Sequence, residues 1–162
     1  FRVIPSNLGE TFSRGLKPHQ IVTYLAQKKA KDISRKFPRY LVLGADTIVF
    51  IDGKIIGKPR NKKHAIQILK KLSGAWQKVY TGVAFVWNGG RKVKAGYAVS
   101  RVKIRPLSSH DIKRAAVHHL DKAGAYAIQE KKDPFVEKII GDYDNVVGLP
   151  IRVVKKLVKL AG

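Results

Sequence analysis

Ten residues, Leu41–Phe50 (LVLGADTIVF), are aliphatic, aromatic, β-branched or small almost without interruption, and one carboxylate, Asp46, sits in their middle. A run of this kind bounded by turns is a strand buried on both faces of a sheet, so the chain must build layers around it. An aspartate inside such a strand costs several kcal/mol unless it is paired, hydrogen-bonded or bound to a metal. Gly44 and Ala45 just before it remove side-chain bulk, so another part of the molecule or a ligand can approach the backbone closely. Two readings follow. Asp46 either ends the strand early and caps the next turn, or it is a carboxylate delivered by a rigid strand to hold a metal or activate water.

The segments around this run organise one fold. Residues Pro18–Phe37 place Ile21, Val22, Leu25, Ala26, Ala30 and Ile33 at the spacing of an amphipathic helix, which Pro38 stops. The strand covers Tyr40–Ile51; Asp52-Gly53 turns it back into a short strand, Lys54–Ile56. Asn61 N-caps a helix that buries Ala65, Ile66, Leu69 and Leu72, and Gly74 terminates it. Trp76–Trp87 and a run through Tyr97, Val99, Val102 and Ile104, joined by Asn88-Gly89-Gly90, form a long hairpin. Ser108 or Ser109 caps a helix reaching His119, Asp121–Leu149 reads as loop, and Pro150 opens a last helix. Phe1–Pro5 reads as the tail of a strand. The expected architecture is α/β: one domain over residues 1–162, a mixed twisted sheet flanked by helices.

The 162 residues suffice for a substantial core, and 44% of them are hydrophobic. No apolar run approaches a membrane span and no secretory leader is present. Without cysteine, disulfides and thiolate metal sites are excluded. Methionine is also absent and the chain opens on Phe1, so something upstream is expected. Thirty-three Lys plus Arg against eleven Asp plus Glu favours polyanionic partners, nucleotides and nucleic acid among them. The same excess serves solubility where lysines lie on solvent faces of helices, as Lys62, Lys63, Lys155 and Lys156 do. Charge alone does not choose between these.

Four polar clusters interrupt the apolar pattern. They are Asp46-Thr47; Gly57-Lys58-Pro59, a compact ammonium suited to phosphate between a permissive and a stiff residue; Asp121–Gln129, with a lysine, an acid and an amide; and Gly141–Pro150, running into a helix N-terminus where backbone N–H groups favour anions. Neither a phosphate-loop nor a dinucleotide fingerprint occurs. Each cluster alone is also readable as a turn; together they fit a metal-assisted phosphate-ester or anhydride site. Of the five histidines, His118 and His119 point about 100° apart on a helix and cannot chelate one ion together.

Gly44-Ala45-Asp46-Thr47, Gly57-Lys58-Pro59, Leu72-Ser73-Gly74 with Val79-Tyr80-Thr81-Gly82-Val83, Asp121-Lys122-Ala123-Gly124-Ala125-Tyr126, and Gly141-Asp142-Tyr143 with Asn145–Pro150 resemble, in order, the motifs of the Maf family of nucleoside triphosphate pyrophosphatases. The DKAGAY form is similar to the branch acting on dTTP and UTP. The resemblance implies hydrolysis of the α–β anhydride to a nucleoside monophosphate and pyrophosphate with Mg²⁺ or Mn²⁺, in a cytoplasmic homodimer without membrane attachment. It implies Asp46 as general base or metal-linked carboxylate, Glu10 as its acidic partner, and Lys58 in the catalytic set. Lys29 and Lys122 would hold phosphate, Thr47 would contact substrate, and Gln129 would line the base pocket. The family opens with a strand and a Ser-x-Ser-Pro-Arg-Arg loop, and this chain starts after them. Gly9 stands where Asp is usual, Gln77 where His is common, and Ala127 and Glu130 where glycines flank Ile128-Gln129. The alternative from another class is a basic nucleotide- or nucleic-acid-binding regulator with impaired catalysis.

Overall fold

The computed structural model describes residues 1–118, except Asn7 and Glu10, and residues 135–161. Its elements run α1 (Pro18–Lys36), β1 (Val42–Ile51), β2 (Lys54–Ile56), α2 (Lys62–Leu72), β3 (Trp76–Trp87), β4 (Lys92–Ile104), α3 (Ser109–His118), β5 (Val136–Ile140), α4 (Tyr143–Val147) and α5 (Ile151–Ala161). The strands form one five-stranded sheet in the order β2-β1-β3-β4-β5. Both edge pairs are antiparallel, with Phe50 opposite Ile55 and Val102 opposite Ile139. The chain is therefore α/β, a sheet flanked by helices.

Local chemistry explains most boundaries. Asn61 Oδ1 accepts from the His64 N–H at 2.9 Å and caps α2. Ser108 caps α3 through a reciprocal box: its Oγ accepts from the Asp111 N–H at 3.1 Å, while Asp111 Oδ2 accepts from the Ser108 N–H at 2.9 Å. The hairpin after β1 turns on Asp52 and Gly53, both at positive φ. Asp46 does not end its strand, because β1 continues to Ile51.

Two segments depart from the sequence expectation. Phe1–Pro5 is irregular, and Phe1 and Val3 are exposed. Within the stretch expected to be loop, β5 and α4 form. Strand β5 is short, sits at the sheet edge and buries little of itself, so its alternation is weak in the sequence. Helix α4 owes its place to a buried residue rather than to periodicity: Asn145 Nδ2 donates to the Val79 carbonyl and to Ser100 Oγ, both at 3.0 Å.

The chain forms two compact units. One comprises Phe1–Thr47, Thr81–Ala98 and Gly148–Gly162; the other, Ile48–Tyr80 and Val99–Val147. Neither is a continuous stretch, since β1, β3 and β4 give residues to both. In the first, Ala26 and Ala30 of α1 pack with Ala84 and Val86, and Val83, Phe85 and Leu157 form a second cluster. The second unit has a larger aliphatic core, in which Ile68, Leu69 and Leu72 of α2 and Ile112, Ala115 and Ala116 of α3 meet Val49, Ile51, Val79, Val102, Ile104 and Phe135. No described helix is long and apolar enough to cross a membrane.

Candidate active site

The site begins with two glycines. Successive strand residues face opposite sides of a sheet, so Gly44 and Asp46 share one face of β1 while Ala45 and Thr47 share the other. A Cβ at Gly44 would lie 2.4 Å from the Ala26 carbonyl oxygen and 2.9 Å from the Ala30 Cβ. A Cβ at Gly82 on β3 would lie 2.3 Å from the Val22 carbonyl carbon and oxygen. Helix α1 therefore lies backbone to backbone on these strands, with Val22, Ala26 and Ala30 at four-residue intervals along its contact line. The close approach allowed by Gly44 is made by a helix of the chain itself.

This contact determines what meets Asp46. Lys29 extends from α1, and its Nζ is hydrogen-bonded and ion-paired to Asp46 Oδ1. The aspartate is buried, only 8% exposed, while Lys29 is half-buried. A buried carboxylate requires a partner, and the ammonium meets that requirement. Lys29 also supplies a compact positive charge of the kind that holds phosphate.

On the opposite face of β1, Thr47 Oγ1 and Thr81 Oγ1 share a hydrogen bond of 2.9 Å. The Gly148 backbone, three residues before α5, lies close enough that a Cβ there would stand 3.2 Å from Thr47 Oγ1. Thr81 is fully buried, and the sequence expectation gives it no role, although it lies in the VYTGV segment. Its hydroxyl on a buried strand was the signal, and only the fold supplies its partner.

Lys58 is exposed, between β2 and α2, in the second unit. Glu10, Lys122 and Gln129, together with His119, lie outside the described residues. The Gly141–Pro150 cluster has a structural part: Ser100 Oγ donates to the Asp142 carbonyl at 2.9 Å, and buried Asn145 ties α4 to β3 and β4. Among the described residues no group of three or more His, Asp or Glu could hold a metal by protein ligands alone. A single strand-borne carboxylate instead suits Mg²⁺, which keeps waters and takes one or two carboxylates plus substrate phosphates.

Fold and site thus define an α/β protein with a strand-borne acid held by a helix-borne lysine. The Maf-like protein family matches residues 1–161, and the chain belongs to that family. The chain is 42% identical over 162 residues to a dTTP/UTP pyrophosphatase of Elusimicrobium minutum, covering all of this chain and 88% of that protein. It is 45% identical over 159 residues to the dTTP/UTP pyrophosphatase of Bacillus pumilus, covering 97% and 83%. With the protein of that name from Pyrococcus abyssi it shares 43% over 161 residues, covering 98% and 84%.

Proposed function

We propose that this chain hydrolyses pyrimidine nucleoside triphosphates, dTTP and UTP, to the monophosphate and pyrophosphate. The observation that carries the reading is the buried Asp46 carboxylate paired to Lys29, in a chain matched end to end by relatives named for that activity. Asp46 takes a proton from the attacking water. The water oxygen bonds to the α-phosphorus, the bond from that phosphorus to the bridging oxygen breaks, and pyrophosphate leaves with the electron pair. Lys29, Lys58 and Lys122 balance phosphate charge, and Gln129, with one donor group and one acceptor, reads the pyrimidine edge. Asp46 and Glu10 would hold a divalent cation, Mg²⁺ or Mn²⁺, which when bound neutralises charge on the phosphates. The whole chain acts as one domain, in a cytoplasmic homodimer.

Pyrophosphate release from UTP, dTTP, ATP and GTP, with Mg²⁺, with Mn²⁺ and with chelator, tests this. Release that requires the metal and ranks the pyrimidine substrates first is the expected result. Metal-independent release, or a purine preference, contradicts it.

A further inference from the structure

The second unit carries a sheet face that its core does not use. Val79 and Val102 point into the aliphatic core with α2 and α3, so by alternation Trp76, Lys78 and Tyr80 of β3 face the other way. On β4 the same alternation turns Val99, Arg101 and Lys103 to that second face. The Arg101 guanidinium lies over the Trp76 ring at 4.9 Å, which shows that the two rows share one surface. Residues paired directly across strands point to the same side, so Ile140, opposite Arg101, and Lys138, opposite Lys103, extend it onto β5. At the β1 side, Phe50 meets Tyr80 edge-on at 6.2 Å.

This face is open. Trp76 is 36% exposed, Val99 39% and Ile140 45%, and Lys78, Arg101 and Lys138 are exposed as well. On this face rings and cations alternate. Rings accept stacked bases, cations meet phosphates, and the guanidinium plane serves both roles. Trp76 and Tyr80, four residues apart on one strand, lie about 13 Å from each other, too far for one base to cover both. The formal charge of +22 supplies the long-range attraction.

We propose that this face docks a single-stranded polynucleotide, its bases stacked on Trp76 and Tyr80 and its phosphates held by Lys78, Arg101 and Lys138. A single strand is favoured over a duplex because paired bases are already stacked on one another and cannot reach the rings. The inference is independent of the triphosphatase reading: it uses none of the residues assigned to that chemistry.

The test is a fluorescence-anisotropy titration of the full chain against labelled oligo(dT), with duplex DNA of equal length and heparin as competitors. The expected result is tighter binding to oligo(dT) than to either competitor. Trp76→Ala should weaken it on the order of 10-fold while leaving the salt dependence nearly unchanged. Trp76→Phe, which keeps a ring, should bind close to wild type, and this pair separates lost stacking from a damaged fold. Lys78→Ala and Lys138→Ala should each reduce the slope of log affinity against log salt by about one. Equal affinity for oligo(dT), duplex and heparin, or a Trp76→Ala chain that binds as wild type does, would overturn the proposal.

Discussion

The two units are packed by opposite means. Where α1 crosses β1 and β3, the contact is made of absence: Gly44, Gly82, Ala26 and Ala30 let backbones touch, and an added methyl at either glycine collides with helix main chain. Around α2 and α3 the contact is made of bulk, with Ile68, Leu69, Leu72, Ile104 and Phe135 filling the space between helix and sheet. The first arrangement buries little apolar area per residue, yet it leaves no room for a methyl group between helix and strand. The second gains far more from water exclusion and tolerates small shifts. The acid–lysine pair sits at the first contact. Stability and positioning are thus assigned to different places.

Four substitutions probe that contrast, beginning with the largest effect. Asp46→Asn keeps shape and removes the basic carboxylate; turnover of UTP per folded molecule should fall about 10²–10⁴-fold, with the circular dichroism of the folded chain close to wild type. Near-normal pyrophosphate release would remove Asp46 from the catalytic role. Leu69→Ala, in the bulk-filled core, should cost about 2–5 kcal/mol in urea unfolding, with the turnover of the folded fraction preserved. Gly82→Ala should cost about 1–3 kcal/mol, the strain of a Cβ forced against the Val22 carbonyl. If it melted with the wild type, the contact would be looser than described.

The smallest effect is electrostatic. The Arg105 guanidinium, 2.9 Å away, and the Ser108 N–H hold the Asp111 carboxyl well below the usual carboxylate range, and Asp111 in turn raises Arg105. A group whose folded pKa is depressed stabilises the fold above its unfolded value and loses that contribution as pH falls towards the folded value. Asp111→Asn should therefore cost about 1 kcal/mol at neutral pH. It should also flatten the loss of stability below about pH 4, where the wild-type carboxylate begins to protonate in the unfolded chain. An unchanged acid limb would show that the pair contributes nothing.

Much of this was legible in the residues. The apolar run around Asp46 announced β1, Asn61 its helix, Asp52-Gly53 the hairpin and Pro150 the start of α5, because each signal is local. Gly44 also announced a close approach, although the sequence does not say that α1 makes it. The partners of Asp46 and Thr47 were hidden for another reason. Lys29 is 17 residues from Asp46, and Thr81 is 34 from Thr47, so only tertiary packing brings them together. Strand β5 and helix α4 escaped because an edge strand shows little alternation and a five-residue helix shows no period. The platform of Trp76 and Arg101 escaped because it exists only across two strands.

If the glycine contact positions the acid–lysine pair, Gly44→Ala and Leu69→Ala must differ in turnover. Pyrophosphate release from UTP is measured for both, each normalised to the folded fraction found by urea titration. The added methyl at Gly44 must displace the Ala26 carbonyl and with it the stretch of α1 that carries Lys29. Gly44→Ala should lose turnover about 10-fold or more, since small misplacements at a catalytic group are costly, while Leu69→Ala keeps wild-type turnover per folded molecule. Equal normalised rates for both variants would mean that the glycine contact does not position the pair.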